Sequence, residues 1–232
     1  MEIAQTLANW CQTQSIINEL LPTVDSTNNR AKSELPSLSA GLKVYIAEEQ
    51  SHGRGRGTNT WITPGKNKSI LSSWVFKLSH PPQAITAPLI GLALYRSVKN
   101  CWPQLNWSVK PPNDLLLSEK KVAGILIEAV QQGDVNYLII GLGFNILSHP
   151  EEISLATHLN SEIGLNQALQ LKQMEDFYNS FNSNINEMIK KLTQVQITAE
   201  HCQELAVATG AKEVSPDGTL TYTDYTKSWK DL

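Results

Sequence analysis

The sequence predicts an α+β fold with a mixed, at least partly antiparallel sheet and packed helices. Three observations predict it. Strand-like segments outnumber helical ones. The two kinds do not alternate regularly, as they do in doubly wound folds. Two apolar strands, 122–130 and 137–142, are joined only by the turn signal Gln131-Gln132-Gly133-Asp134.

The elements follow in order. Residues 3–21 carry apolar side chains at helical spacing. A polar cluster, Thr23-Val24-Asp25-Ser26-Thr27-Asn28, comes next and offers good helix N-caps ahead of Arg30-Ala31-Lys32. Residues 42–47 read as a strand, 48–60 as a polar, glycine-rich loop, 69–78 as a strand and 84–101 as a helix with an apolar stripe. Residues 107–110 are short and extended, Pro111-Pro112 ends them, and 115–117 begins the run of strands that continues through 142. Residues 174–192 form a second long helix. In the tail, 214–222 reads as strand, turn, strand around Pro216-Asp217-Gly218. That pattern predicts a main domain over 1–195 and a small, abbreviated β appendage over 196–232.

Composition narrows the function classes. A chain of 232 residues with 41% hydrophobic content can build one sizeable core. A net charge of −3 argues against binding nucleic acid mainly through phosphates, which goes with a basic surplus. Cys11, Cys101 and Cys202 are odd in number, far apart and without metal-ligand spacing, so they read as reduced thiols of a cytoplasmic protein. The first 21 residues lack the basic start and apolar run of a signal peptide, and no stretch is apolar enough to span a membrane. The five histidines show no ligand or nucleophile spacing and read as surface or packing residues.

Four segments could carry chemistry. In Gln50-Ser51-His52-Gly53-Arg54-Gly55-Arg56-Gly57, three glycines let backbone amides approach a ligand, and two arginines offer forked donors to phosphate or carboxylate. Taken alone, such a run also describes a flexible basic surface loop. Lys110-Pro111-Pro112-Asn113-Asp114 is a rigid turn presenting polar groups, or an ordinary link between strands. Lys121-Val122-Ala123-Gly124-Ile125-Leu126-Ile127-Glu128 enters an apolar strand from a lysine, and Gly124 within it suggests a close backbone approach. Gly141-Leu142-Gly143-Phe144-Asn145 ends another strand; its glycines leave space for a nucleotide, and Asn145 can both donate and accept. It lacks the third glycine and the following helix of a dinucleotide fingerprint.

Singly these motifs are modest, but their order is specific. Ser-Thr-Asn at 26–28, then Gly-Arg-Gly-Arg, Lys-x-Pro-Asn-Asp, Lys-x-x-Gly-Ile-Leu-x-Glu and Gly-x-Gly-x-Asn together resemble the catalytic domain of the biotin protein ligases from about Val24 to Asn145. The resemblance implies a biotin/lipoyl ligase-like catalytic domain with a small SH3-like tail. It implies formation of biotinyl-5′-AMP from biotin and ATP with Mg2+, then transfer to a lysine of a biotin carboxyl carrier protein of acetyl-CoA carboxylase. Ser26, Thr27, Asn28, Gln50, Arg54, Gly55, Arg56, Lys121 and Gly124 are then the expected biotin residues. Arg56, Lys110, Asn113, Asp114, Lys121 and Asn145 are expected around the nucleotide, with Mg2+ carried on its phosphates. Arg56, Lys121 and Asp114 are the expected catalytic groups, Asp114 as a base for the acceptor lysine, while Glu128 matches by motif without a direct role.

The sequence also departs from the family. Gly57-Thr58-Asn59 stands where many members continue the basic loop, and Pro111 where many carry tryptophan. Ser26-Thr27-Asn28 lies too near the start for a preceding helix-turn-helix domain, so the expectation is a short form without DNA binding, monomeric or weakly dimeric. Two alternatives stay open: a lipoate- or octanoate-type acyl ligase or transferase, and a non-catalytic biotin-binding homologue.

Overall fold

A computed structural model describes residues 1–35, 41–163 and 170–229. Its elements are α1 (Ile3–Thr13), β1 (Ile17–Leu21), α2 (Thr27–Glu34), β2 (Leu42–Ala47), β3 (Gly53–Arg54), β4 (Thr60–Trp61), β5 (Ser69–Leu78), α3 (Thr86–Cys101), β6 (Trp107–Lys110), β7 (Asp114–Leu117), β8 (Lys120–Gln132), β9 (Val135–Asn145), α4 (Leu159–Glu162), α5 (Leu171–Lys191), α6 (Ala199–Thr209), β10 (Glu213–Val214), β11 (Thr219–Thr221) and β12 (Thr226–Ser228). Contacts gather them into two compact units, Met1–Pro81 with Lys120–Glu175, and Pro82–Glu119 with Asp176–Leu232.

The first unit is built on a sheet in the order β1-β2-β5-β9-β8. β1 runs parallel to β2, and the other neighbours pair antiparallel. The fold is α+β with a mixed sheet, as the strand pattern predicts. Gly133 takes φ +58° in the tight turn between β8 and β9, where the turn signal stands. Both faces of the central strand β5 are covered. Trp74 meets Trp10 of α1 with ring centroids 6.0 Å apart. Its neighbour Val75 points the other way and packs with Ala31 of α2, Leu35 just after it, Tyr45 and Ile139. A strand buried on both faces reads as a continuous apolar run, which explains the sequence of β5.

The second unit packs α3 against α6, with the β6–β7 hairpin beside them. Phe177, Phe181, Ile185 and Met188 form the buried stripe of α5 at helical spacing. The Phe177 ring lies 5.8 Å from that of Trp102. The tail forms the small three-stranded sheet β10-β11-β12. Trp229 after it donates from its indole to Pro112 O at 3.0 Å.

Three features differ from the sequence reading. The helix expected over 3–21 stops at Thr13, Ser15 takes φ +54°, and 17–21 joins the sheet. Ile16-Ile17 and Leu20-Leu21 satisfy either period, and β-branched isoleucine favours the strand. Residues 199–209, counted above with the β appendage, form a helix; Thr198 accepts from His201 N, and Gly210 closes it at φ +70°. The contacts divide the chain elsewhere than at the boundary expected near residue 195. The segment carrying α3, β6 and β7 packs with α6, and spatial packing rather than chain order defines the second unit.

The cysteines are unpaired. Burial pushes the Cys11 thiol up to about 12 and that of Cys101 to about 11, so neither is a nucleophile at neutral pH. Among the described residues, no helix is long and apolar enough to cross a membrane.

Candidate functional site

Of the predicted site residues of the first unit, Ser26, Thr27, Asn28, Gln50 and Arg54 come together around the start of α2. Ser26 stands at its N-cap position in extended conformation, but its hydroxyl makes no capping bond. The side chain of Gln50 does that work: its Oε1 accepts from Thr27 N at 2.8 Å and from Thr27 Oγ1 at 3.1 Å. A loop residue thus satisfies the first orphan amide of the helix. Gln50 and Thr27, both expected to line the ligand pocket, are held together by this bond.

Asn28 belongs to a denser knot. Its Nδ2 donates to Glu128 Oε2 at 2.9 Å, and its Oδ1 accepts from Ser73 Oγ, which also bonds Thr27 Oγ1 at 2.8 Å. Glu128 gathers two cations as well. Lys32 Nζ lies 2.6 Å from Oε1. The Arg54 fork takes both carboxylate oxygens, with NH1 3.0 Å from Oε2 and NH2 3.0 Å from Oε1. Burial pushes the Glu128 carboxyl up, but the bonds from Lys32, Asn28 and Arg54 outweigh it and hold the group below its ordinary value. The Arg54 fork, expected to hold the ligand, is therefore bound to Glu128. The residue without an expected role is the centre of the network.

The loop itself is a short hairpin. β3 and β4 pair through Gly53↔Trp61 and Arg54↔Thr60. Asn59 N–H closes a turn onto Arg56 O at 3.1 Å, and Gly57 takes φ +63° inside it. Arg56 at the turn is exposed, and its guanidinium makes no ion pair or side-chain hydrogen bond among the described residues. The hairpin lines a half-open cavity of about 540 Å³, with Gln50, Arg54, Gly55, Asn59 and Trp61 among its walls. That is the size of a small-molecule site.

Glycines on the sheet continue the site. Gly124 of β8 pairs directly with Gly143 of β9. Trp61 lies over both: a Cβ on Gly143 would meet its Cε2 at 2.5 Å, and one on Gly124 would meet its Cζ3 at 3.3 Å. Lys121 Nζ stands 5.7 Å from the Trp61 ring centroid. Lys121 is fixed through its backbone, donating to Leu155 O at 2.7 Å and accepting from Thr157 N at 2.9 Å. Gly141, expected to make room for a nucleotide, makes room for the Asn28 amide instead.

The remaining candidates are placed as follows. Asn145 is buried; its Oδ1 accepts from Ser69 Oγ and its Nδ2 donates to Thr157 O, each at 3.2 Å, so its amide is committed within the fold. Lys110, Asn113 and Asp114 lie in the second unit, on the turn of the β6–β7 hairpin, where Lys110 pairs with Asp114. Among the described residues, no group of three or more His, Cys, Asp and Glu is placed to hold a metal. A divalent cation there would arrive on nucleotide phosphates, the usual habit of Mg2+. The sequence reading missed Trp61, Lys32 and Ser73. Its one available signal was Ser72-Ser73, a polar pair inside an apolar strand.

Known proteins resemble the chain in sequence and in fold. The chain is 34% identical over 139 residues to the bifunctional ligase/repressor BirA of Escherichia coli (strain K12), covering 59% of this chain and 42% of that one. It is 36% identical over 137 residues to the biotin–[acetyl-CoA-carboxylase] ligase of Paracoccus denitrificans, covering 57% of this chain and 55% of that one. The chain thus spans about half the length of these curated relatives. The fold is that of the biotin protein ligase from Aquifex aeolicus in complex with biotin and ATP, at TM-score 0.68 and 22% identity, over 91% of this chain and 94% of that one. Residues 20–145, more than half the sequence, match the profile of one family. The chain belongs to the biotin/lipoate A/B protein ligase family.

Proposed function

We infer that the protein ligates biotin to a lysine of a biotin carboxyl carrier protein. The reaction passes through biotinyl-5′-AMP, with release of pyrophosphate and then AMP, in the cytoplasm. The observation that carries this reading is the cavity of the β3–β4 hairpin, lined by Gln50, Arg54 and Trp61, with Lys121 and Gly124 against the Trp61 ring and Arg56 exposed at the hairpin turn. The curated relative named as a biotin–[acetyl-CoA-carboxylase] ligase supports it.

The chemistry needs what these residues offer. In the first step a carboxylate attacks an α-phosphorus that already bears negative charge. Arg56 and Lys121 lessen that repulsion in a partly dry site, and Mg2+ brought in on the ATP phosphates would lessen it further. The mixed anhydride must then be kept from water, and a glycine-rich hairpin can close over it. In the second step the acceptor lysine must lose a proton. With an ordinary pKa near 10.4, only about one amine in a few thousand is neutral at pH 7. Asp114 is the group assigned as base, with Lys110 and Asn113 of the same hairpin assigned to the nucleotide.

The test is pyrophosphate release from Mg-ATP with biotin, lipoate or octanoate, followed by transfer to a carrier-domain lysine. Release and transfer with biotin alone is the expected result. Release with lipoate or octanoate and none with biotin would contradict the reading.

A further inference from the structure

We propose that Trp61 sets how tightly the pocket takes its ligand, because its indole occupies the ligand's own seat on the Gly124/Gly143 shelf and must leave before a ring ligand can settle. The identity of that ligand as biotin rests on the functional reading above.

Two glycines placed directly opposite each other weaken a β-ladder, so their presence at this register marks a surface kept bare for something to lie flat on it. What lies there is the chain's own indole, too close to Gly143 for any side chain at that position. It is a poor permanent occupant. Its Nε1 is buried and has no hydrogen-bond partner among the described residues. A buried N–H without an acceptor keeps its full desolvation penalty. Trp61 also engages the face of its ring with Lys121, the ammonium assigned to the ligand. Its tether is slight, since β3 and β4 pair over two residues each and Gly53, Gly55 and Gly57 lie on the same hairpin. The indole fills the shelf, satisfies its lysine in part, and gives up little when it swings away.

A resident competitor lowers apparent affinity by the fraction of molecules whose shelf is open. Trp61→Ala empties the shelf and should tighten biotin binding about tenfold, as for a shelf open about a tenth of the time. Trp61→Phe keeps a flat ring without the unsatisfied N–H, so the ring stays seated and biotin should bind several-fold more weakly, by the same arithmetic. An ordinary wall residue would give weaker binding in Ala and a milder loss in Phe.

The experiment titrates biotin by calorimetry into the full chain and both variants, alongside 19F NMR of fluorotryptophan-labelled protein with the Trp61 resonance assigned by its loss in Trp61→Phe. Support is a Trp61 resonance shielded from solvent in the empty protein, released by saturating biotin, with Ala tighter and Phe weaker than the parent. A solvent-exposed Trp61 in the empty protein, or weaker binding by Trp61→Ala, overturns the proposal while biotin binding by the parent leaves the functional reading standing. No biotin binding by parent or Ala variant overturns both.

Discussion

The Glu128 knot and the β3–β4 hairpin, both in the first unit, treat charge in opposite ways. In the knot, one carboxylate with 16% side-chain exposure is met by Lys32, Arg54 and Asn28, and Asn28 is met in turn by Ser73. In the hairpin, Arg56 is exposed and the Trp61 N–H is buried, and neither has a partner among the described residues. In the proposed function the satisfied groups of the knot hold the fold, and the open ones of the hairpin meet the ligand. Two arginines separated by one glycine thus stand in different surroundings, and in the proposed function Arg54 is a strut to Glu128 and Arg56 a hand held out.

The comparison can be broken from the knot first. Glu128→Ala should cost about 2–3 kcal/mol, the loss for a partly exposed charge pair with two cations left behind. For a chain of this length that is a fall in melting temperature of roughly 5–10 °C, measured by calorimetry. A variant as stable as the parent would mean that the network is decoration. Gly141→Ala drives a methyl into the Asn28 amide and should cost about 1–3 kcal/mol by the same measurement.

Smaller effects sharpen the picture. Gln50→Ala should lose about 1 kcal/mol by orphaning the Thr27 amide, whereas Ser26→Ala should lose less than about 0.5 kcal/mol, because Ser26 does not cap. Denaturant titrations that rank the two the other way round would return the cap to Ser26. The acid limb of stability gives the smallest signal. Glu128 is held below its ordinary value of 4.5, so its contribution is complete above that pH and fades as the pH falls through the depressed value. Glu128→Gln should flatten that part of the stability–pH curve; an unchanged slope would remove Glu128 from the linkage.

How much of this was legible in the sequence depends on the range of the interaction. Strands 42–47 and 69–78 were readable to the residue, because buried strands and their turn signals are local. The helix of 199–209 was readable from Thr198 and Gly210, but the β pattern that follows masked it. The motifs named the loop, Lys121 and Gly124, which share one region of the first unit. They could not divide the labour between Arg54 and Arg56, since that depends on Glu128, 74 residues away from Arg54. Nor could they reveal Trp61, whose importance comes from two glycines on other strands.

The measurement closest to the central claim is the release rate of preformed biotinyl-adenylate from the parent and from Arg56→Gly, read beside their melting temperatures. An outward-facing guanidinium that grips the intermediate contributes one charge-assisted contact, so the variant should release it at least about tenfold faster and label bystander lysines. Its stability should stay within about 0.5 kcal/mol of the parent. Equal release rates, or a variant that unfolds like Glu128→Ala, would contradict the division between strut and hand.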